Sequence, residues 1–349
     1  MNDNALVAIP VGINVGHFFD GPPPRWGERV RRIEDLGFDG IWFAEAYGSD
    51  VFTPLAWCAA RTARIRLGTA VAQIPARTPA ATAMSAATLD HLSGGRVVLG
   101  LGVSGPQVSE GWHGVAYPRP LARTREYVDV VRQVLARERP LSYDGEFHRL
   151  PLPGGTGLGK PLRSSLHPLR PDLPIQLGAE GPRNVALAAE IADGWHAMFF
   201  APAADAFYRA ALDAGFARRP GGRPAGFEVV ATVPVVVDED IEHAADRVRP
   251  QLALYIGGMG ARGANFHHDV FARTGHAELA ARVQHLYLRG EKRAAAAAIP
   301  TALVEQVALI GPAGKIREDL GRWESTVVDS IAVQGLPEDL ESVARAVLG

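Results

Sequence analysis

The chain has 349 residues, 47% hydrophobic and 21% charged, with a formal net charge of -2. This is a globular composition with enough chain for a full-sized core, and it leaves no excess of positive charge to hold a nucleic-acid backbone. The single cysteine, Cys58, excludes an intrachain disulfide framework and a multi-thiolate metal site.

The start, MNDNALVAIPVG, has no basic segment followed by a long apolar one. No apolar run reaches the ~18 residues of a membrane span. The reading is a cytoplasmic protein with neither membrane nor nucleic acid as partner.

Short β-rich runs alternate with helical patterns along the chain. VGINV (11–15) precedes WGERVRRIEDLG, whose apolar residues recur at helical spacing up to a stop at Gly37. GIWFAEA (40–46) precedes the helical TPLAWCAART. IRLGTAVAQI (65–74) precedes TPAATAMSAATLDHLS, and both helices carry proline early. The fourth run, RVVLGLG (96–102), leads into PQVSEGWHG, which shows no helical periodicity, and then into the long amphipathic LARTREYVDVVRQVLAR.

Residues 140–170 break the rhythm with many Gly and Pro residues and one short hairpin pattern, LSYDGEFHRL. The alternation resumes with LPIQLGA (173–179), the helical PRNVALAAEI, DGWHAMF (193–199), a helix around 202–216, FEVVATVPVVV (227–237) and STVVDSIAVQ (325–334). An extended, largely helical stretch, 240–325, separates the last two. Eight such alternations predict an α/β protein, a (β/α)8 TIM barrel with insertion segments near 140–170 and 240–325. The whole chain, 1–349, reads as one domain. A doubly wound sheet is the alternative.

Gly100, Gly102 and Gly105 form G-x-G-x-x-G after the fourth run, a dinucleotide-binding fingerprint when it closes a first strand and opens a helix. Here it comes fourth. The acidic residue about 20 positions on, Glu126, lies inside an amphipathic pattern. We read a glycine-rich strand end, where small residues let a ligand approach the backbone of a barrel's active face.

The C-terminal ends of the other runs offer Asn14 and His17, Glu45 and Tyr47, the stretch from Gly68 to Pro75, and GAEGPRN from Gly178 to Asn184. They hold no carboxylate–histidine cluster suited to a metal and no G-x-S-x-G elbow. Few acid–base groups among glycine-lined loops point to a bound organic cofactor that carries the chemistry. In GAEGPRNV, backbone N–H groups at a helix start and Arg183 make a phosphate site; a plain βα turn with a surface arginine is the other reading. FHHD (266–269) places adjacent histidines apart on a helix, a poor chelate, so no metal is expected.

Four stretches together carry a resemblance: LGFDGIWFAEAYGSD, IRLGTAVAQIPARTPAATAMSAATLDHLSGGRVVLGLGVSGPQVSEGWHG, LPIQLGAEGPRNVALAAEIADGW and LYIGGMGARGANFHHDV. The chain resembles the bacterial luciferase-like superfamily, and within it the deazaflavin (coenzyme F420)-dependent oxidoreductases. The resemblance implies a (β/α)8 barrel and a non-proline cis peptide between Ala70 and Val71 that backs the cofactor ring. It implies further cofactor contacts from Asn14, Glu45, Thr69 and Gln73, and from Ser104, Gly105, Pro106 and Gln107. The cofactor phosphate falls to Gly178, Ala179, Gly181 and Arg183, with Glu180 and Pro182 in the same cofactor-binding loop.

Relatives that oxidise sugar phosphates carry Asp-His after strand two; this chain has Glu45-Ala46. The missing histidine favours the reductive direction, with hydride passing to an activated C=C, C=N or C=O bond of a small molecule. Glu45, Tyr47, His17 and His113 are the candidate proton donors, each at or just beyond a strand end. An FMN-dependent monooxygenase using reduced flavin and O2 is the alternative. A cofactor-binding protein without turnover is the alternative of another class. Arg77, Arg183 and Arg262 favour the acidic tail of the deazaflavin. A homodimer and a separate cofactor-reducing enzyme complete the expectations.

Overall fold

A computed structural model describes residues 9–260, 263 and 265–349. Eight parallel strands build the central sheet: β1 (Val11–Gly16), β2 (Gly40–Phe43), β3 (Arg66–Thr69), β4 (Val97–Gly102), β5 (Ile175–Gly178), β6 (Gly194–Met198), β7 (Glu228–Val233) and β8 (Ser330–Gln334). The strands run in the order β3-β2-β1-β8-β7-β6-β5-β4, and β3 pairs with β4 to close the ring. The sheet is therefore a barrel, and the doubly wound alternative falls.

The register follows the apolar pattern. Ile13 pairs with Ile41 and with Val333, and Leu99 with Ile175. Both faces of these strands are covered, which is why they read as continuous apolar runs rather than alternating ones. Helices Trp26–Asp35, Phe52–Ala59, Pro79–Ser93, Pro120–Ala136, Pro182–Ile191, Asp205–Phe216 and Leu340–Val347 pack around them. Thr78 caps the third of these, its hydroxyl accepting from the Ala81 N–H at 3.3 Å.

Several runs are shorter than their sequence suggests, for identifiable reasons. FEVVATVPVVV splits at Pro234, which lacks the N–H that a ladder needs. The second piece, Val235–Val237, leaves the barrel and pairs in parallel with Leu309–Gly311, a strand the helical stretch 240–325 concealed. IRLGTAVAQI breaks after Thr69, and Ala72–Gln73 rejoins the sheet against β4.

PQVSEGWHG does hold a helix, Pro106–Gly111, one turn and a half long and too short to show a period. The hairpin in LSYDGEFHRL forms, Tyr143–Asp144 against Arg149–Leu150. Glu126 supports it: its carboxylate accepts from the N–H groups of Glu146, Phe147 and His148 at 2.8–3.0 Å. That is the use of the acid that the dinucleotide fingerprint would have assigned to a ribose.

At the N-terminal end of the barrel, Glu228 closes the floor. It accepts from Arg66 twice at 2.9 Å, from Gln176 Nε2 at 2.8 Å and from Ser330 Oγ at 2.9 Å. Arg66 also donates to Asp39 at 2.7 Å. Above this network Trp42, Val98, Val230 and Ala332 fill the barrel, with Ala70 packed against them. The His196 ring lies 4.9 Å from that of Trp42.

Candidate active site

The C-terminal strand ends form the mouth of the barrel. The Ala70–Val71 peptide, between Thr69 and Ala72–Gln73, is cis. Here the glycines of the fourth strand find their use. A Cβ on Gly100 would lie 1.9 Å from the Thr69 carbonyl oxygen, and one on Gly102 would lie 2.3 Å from Val71 Cγ2. They admit the neighbouring strand of the same barrel, not a pyrophosphate. Ala70 and Val71 stay partly exposed at the mouth.

Three loops meet beside this bulge. Glu45, after β2, binds Arg77 through both oxygens at 2.6 and 2.8 Å and accepts from the Gln73 N–H at 3.0 Å. Its side chain is 7% exposed. The hydrogen bonds from Arg77 to Glu45 outweigh burial and raise the guanidinium pKa further. Tyr127 donates its hydroxyl to the Arg77 carbonyl at 3.1 Å, which fixes the arginine's backbone.

The Gln73 side chain continues the chain of bonds. Its Nε2 donates to Ser104 Oγ at 3.1 Å, and its Oε1 lies 2.8 Å from His113 Nε2. That direction makes Oε1 the acceptor and puts the imidazole proton on Nε2. Ser104 has φ of +60°, a left-handed conformation uncommon for a residue with a Cβ. Tyr117 donates to the Ser104 carbonyl at 3.0 Å. Gly105 then caps the start of Pro106–Gly111, with Gln107 exposed.

Other candidates stand apart from this network. Asn14, at the end of β1, is buried; its Oδ1 accepts from the Gly16 N–H at 3.1 Å, and its Nδ2 donates to Thr232 Oγ1 at 3.4 Å. Thr69 donates to the Gly100 carbonyl at 2.6 Å. His17 packs on Phe19, ring centroids 4.3 Å apart, and burial lowers its pKa. Tyr47 is 60% exposed.

After β5, Gly178 and Ala179 lead to Gly181, the N-cap of the helix Pro182–Ile191. A Cβ on Gly181 would meet nothing within 4 Å, so this helix start opens onto free space. Its first turn holds no acid, and Arg183 is exposed. This is the arrangement a phosphate needs. Glu180 points elsewhere: its Oε1 lies 2.6 Å from His267 Nδ1.

The rim cations expected from sequence change their parts. Arg77 is committed to Glu45, and Arg262 lies outside the described residues. The pairs Arg77–Glu45 and His267–Glu180 were missed in sequence. Their partners lie 32 and 87 positions apart, with no local pattern to link them. No group of three or more His, Cys, Asp or Glu side chains that could hold a metal ion occurs among the described residues. No helix among them is long and apolar enough to cross a membrane.

Barrel, mouth and open helix start accompany a match of the luciferase-like monooxygenase family to residues 8–330. The chain belongs to this family. This luciferase-like protein is 50% identical over 344 residues to Rv3520c of Mycobacterium tuberculosis, provisionally named a coenzyme F420-dependent oxidoreductase; the match covers 97% of this chain and 99% of that one. It is 34% identical over 231 residues to the 5,10-methylenetetrahydromethanopterin reductase of Archaeoglobus fulgidus, 66% of this chain and 65% of that protein. The fold of the coenzyme F420-dependent tetrahydromethanopterin reductase of Methanopyrus kandleri superposes with a TM-score of 0.80 at 22% identity, over 98% of this chain and 97% of that one.

Proposed function

We propose that this luciferase-like protein is a coenzyme F420-dependent oxidoreductase that reduces an activated C=C, C=N or C=O bond of a small organic molecule. The full-length 50% identity to a protein named for that cofactor supports the choice within the family. The site fits the group. Gly181 and the exposed Arg183 leave a helix start open for its phosphate, and the small Ala70 offers a flat support for a ring.

In this reading the deazaflavin, when bound, supplies the hydride. The protein supplies position. Gly178, Ala179, Gly181, Pro182 and Arg183 hold the phosphate; Ala70 and Val71 back the ring. Ser104 and Gln73 present polar groups at its edge, with Gly105, Pro106 and Gln107 beside them.

Glu45 is a positioning residue. Both its oxygens already accept hydrogen bonds, and through the Gln73 N–H it fixes the bulge to the loop after β2. The His113 Nε2–H is spent on Gln73, which leaves it to orient that amide. A cytoplasmic homodimer supplied with reduced cofactor by a separate enzyme belongs to the same reading.

The test is a parallel fluorescence titration with oxidised F420 and with FMN, followed by reoxidation of reduced F420 with cyclohex-2-en-1-one and with 1-pyrroline. Micromolar or tighter binding of F420 alone, with turnover of either probe, is the expected result. Preference for FMN would replace the reading with flavin monooxygenation. F420 binding without turnover of any acceptor would leave a carrier of the cofactor.

A further inference from the structure

Glu180 lies in the loop proposed above to hold the cofactor phosphate, but its carboxylate faces His267. A carboxylate beside a phosphate would repel it, and Glu180 instead faces the segment inserted between β7 and β8. Its Oε1 sits 2.6 Å from His267 Nδ1, with the two side chains 11% and 20% exposed. Its Oε2 is enclosed and has no hydrogen-bond partner among the described residues. The oxygen near Nδ1 lies off the line of the N–H, so the pair touches electrostatically without a formed hydrogen bond.

Two aromatic rings pack against the imidazole. Its ring stands edge-on to Tyr255 at 4.7 Å and to Phe199 at 5.9 Å. Asn265 anchors the backbone below it. Its Oδ1 accepts from the N–H groups of His267 and His268 at 3.0 and 3.2 Å, and its Nδ2 donates to the carbonyls of Tyr255 and Ile256. Arg273 donates to the Glu180 carbonyl at 3.1 Å, which ties the two loops together a second time.

Tyr255 locates the pair. Burial pushes its hydroxyl up to about 12, and the charges of Glu180 and Tyr47 add to the effect. Glu180 stands just after the C-terminal end of β5, so its contact with His267 brings this ring and Tyr255 to the mouth side of the barrel. Nε2 of His267, the nitrogen opposite Glu180, makes no hydrogen bond among the described residues.

We propose that His267 is the proton donor of the reduction and that Glu180 is its positioning residue. The inference rests on the reductive reading above. A carboxylate against Nδ1 orients the ring and leaves Nε2 as the nitrogen that faces away from Glu180. As hydride arrives at one atom of the double bond, the electron pair moves to the other. His267 Nε2 gives its proton to that atom and is left as neutral imidazole. The contact with Glu180 straightens into a hydrogen bond as the acceptor enters, as catalytic hydrogen bonds do on substrate binding.

The other titratable groups around the ring do not compete. Tyr255 stays neutral through the physiological range. Tyr208 is raised by burial and by Glu180. On the same helix, Asp269 faces His268 at 3.3 Å. Arg273 spends its bond on the Glu180 backbone. Glu180 is thus the carboxylate in direct contact with the His267 ring.

The test compares His267→Gln, Glu180→Gln, Glu180→Asp and His113→Gln with the wild type. F420 affinity, read by fluorescence quenching, stays within about threefold in the His267 and Glu180 variants. In the cofactor-free protein, the His267 ring resonance, identified by its loss in His267→Gln, moves in Glu180→Gln and holds in His113→Gln. Single-turnover reduction of the enone or imine falls about 100-fold in His267→Gln, the usual worth of a general acid. Glu180→Gln lowers the single-turnover rate as well, and Glu180→Asp recovers part of it.

A His267→Gln rate within threefold of wild type, with F420 still bound, overturns the assignment alone. Failure of the wild type to bind F420 or to reduce either probe overturns the functional reading and this step with it.

Discussion

Two carboxylates mark the two ends of the barrel. Glu228 at the floor accepts four hydrogen bonds from three side chains, and both its oxygens are satisfied. Glu180 at the mouth has one electrostatic partner and an enclosed oxygen with none among the described residues. Burial costs both of them. Only the floor offsets that cost within the protein itself. A group left short of partners in the free protein is one that a ligand can complete. In a (β/α)8 barrel the two ends carry those two roles, stability below and chemistry above.

The sharpest way to break this comparison is to delete each acid. Glu228→Ala leaves Arg66 with Asp39 alone and strands Gln176 and Ser330. Removing one partner of such a pair costs about 3 kcal/mol. Glu180→Ala removes a desolvated charge together with its single contact, and we expect a change below about 1 kcal/mol. Urea unfolding of both variants at neutral pH measures the difference. Equal losses would mean that the mouth acid is as structural as the floor acid.

Acid tests the lower half of the barrel a second way. Burial lowers the His196 pKa from 6.5 to about 4; nearby Glu228 opposes the shift and Arg66 adds to it. Neither ring nitrogen has a hydrogen-bond partner among the described residues. Above pH 6.5 the ring is neutral folded or unfolded and contributes no pH dependence. Between 6.5 and 4 the unfolded chain takes up a proton that the folded one refuses, so stability falls with pH by a total of about 3 kcal/mol.

Burial would raise Glu228, but Arg66 outweighs it and holds the pKa below the ordinary glutamate value. Its stabilisation is present above the unfolded pKa and is lost as pH falls through the folded one, lower than the His196 window. The unfolding midpoint should decline from pH 6.5 downward in the wild type. His196→Gln should hold level to about pH 5 and fall only with the carboxylates. A His196→Gln curve parallel to the wild type would remove the buried ring from the account.

The same contrast sets what was legible in the sequence. Strands and helices that bury a continuous apolar face announce themselves in the run of residues, and all eight barrel strands were readable that way. So was the glycine loop after β5, because a helix start needs only local residues. The pairs were not readable. Arg77 reaches Glu45 only because the bulge after Thr69 turns the chain back across the mouth, and His267 reaches Glu180 only because the inserted helices fold over β5. Leu309–Gly311 was hidden for a related reason: three residues inside a helical stretch have no periodicity, and only pairing with Val235–Val237 makes them a strand. Gly100 and Gly102 were read as ligand-facing, yet they face the end of β3 and the bulge that follows it. Glycine spacing records a close approach without naming what approaches.

Arg183 makes the smallest but most selective test of the comparison. Its side chain is exposed and makes no ion pair or hydrogen bond among the described residues, so Arg183→Ala removes nothing that holds the fold. Stability should stay within about 0.5 kcal/mol. A phosphate at the helix start would lose one charge-assisted partner while keeping the free backbone N–H groups of the first turn. That is worth about tenfold in F420 affinity, about 1.4 kcal/mol. The loss should shrink as salt is raised, because the contact lies at the surface. Unchanged affinity at low salt would move the phosphate away from this helix and leave the loop after β5 to the proton-donor pair alone.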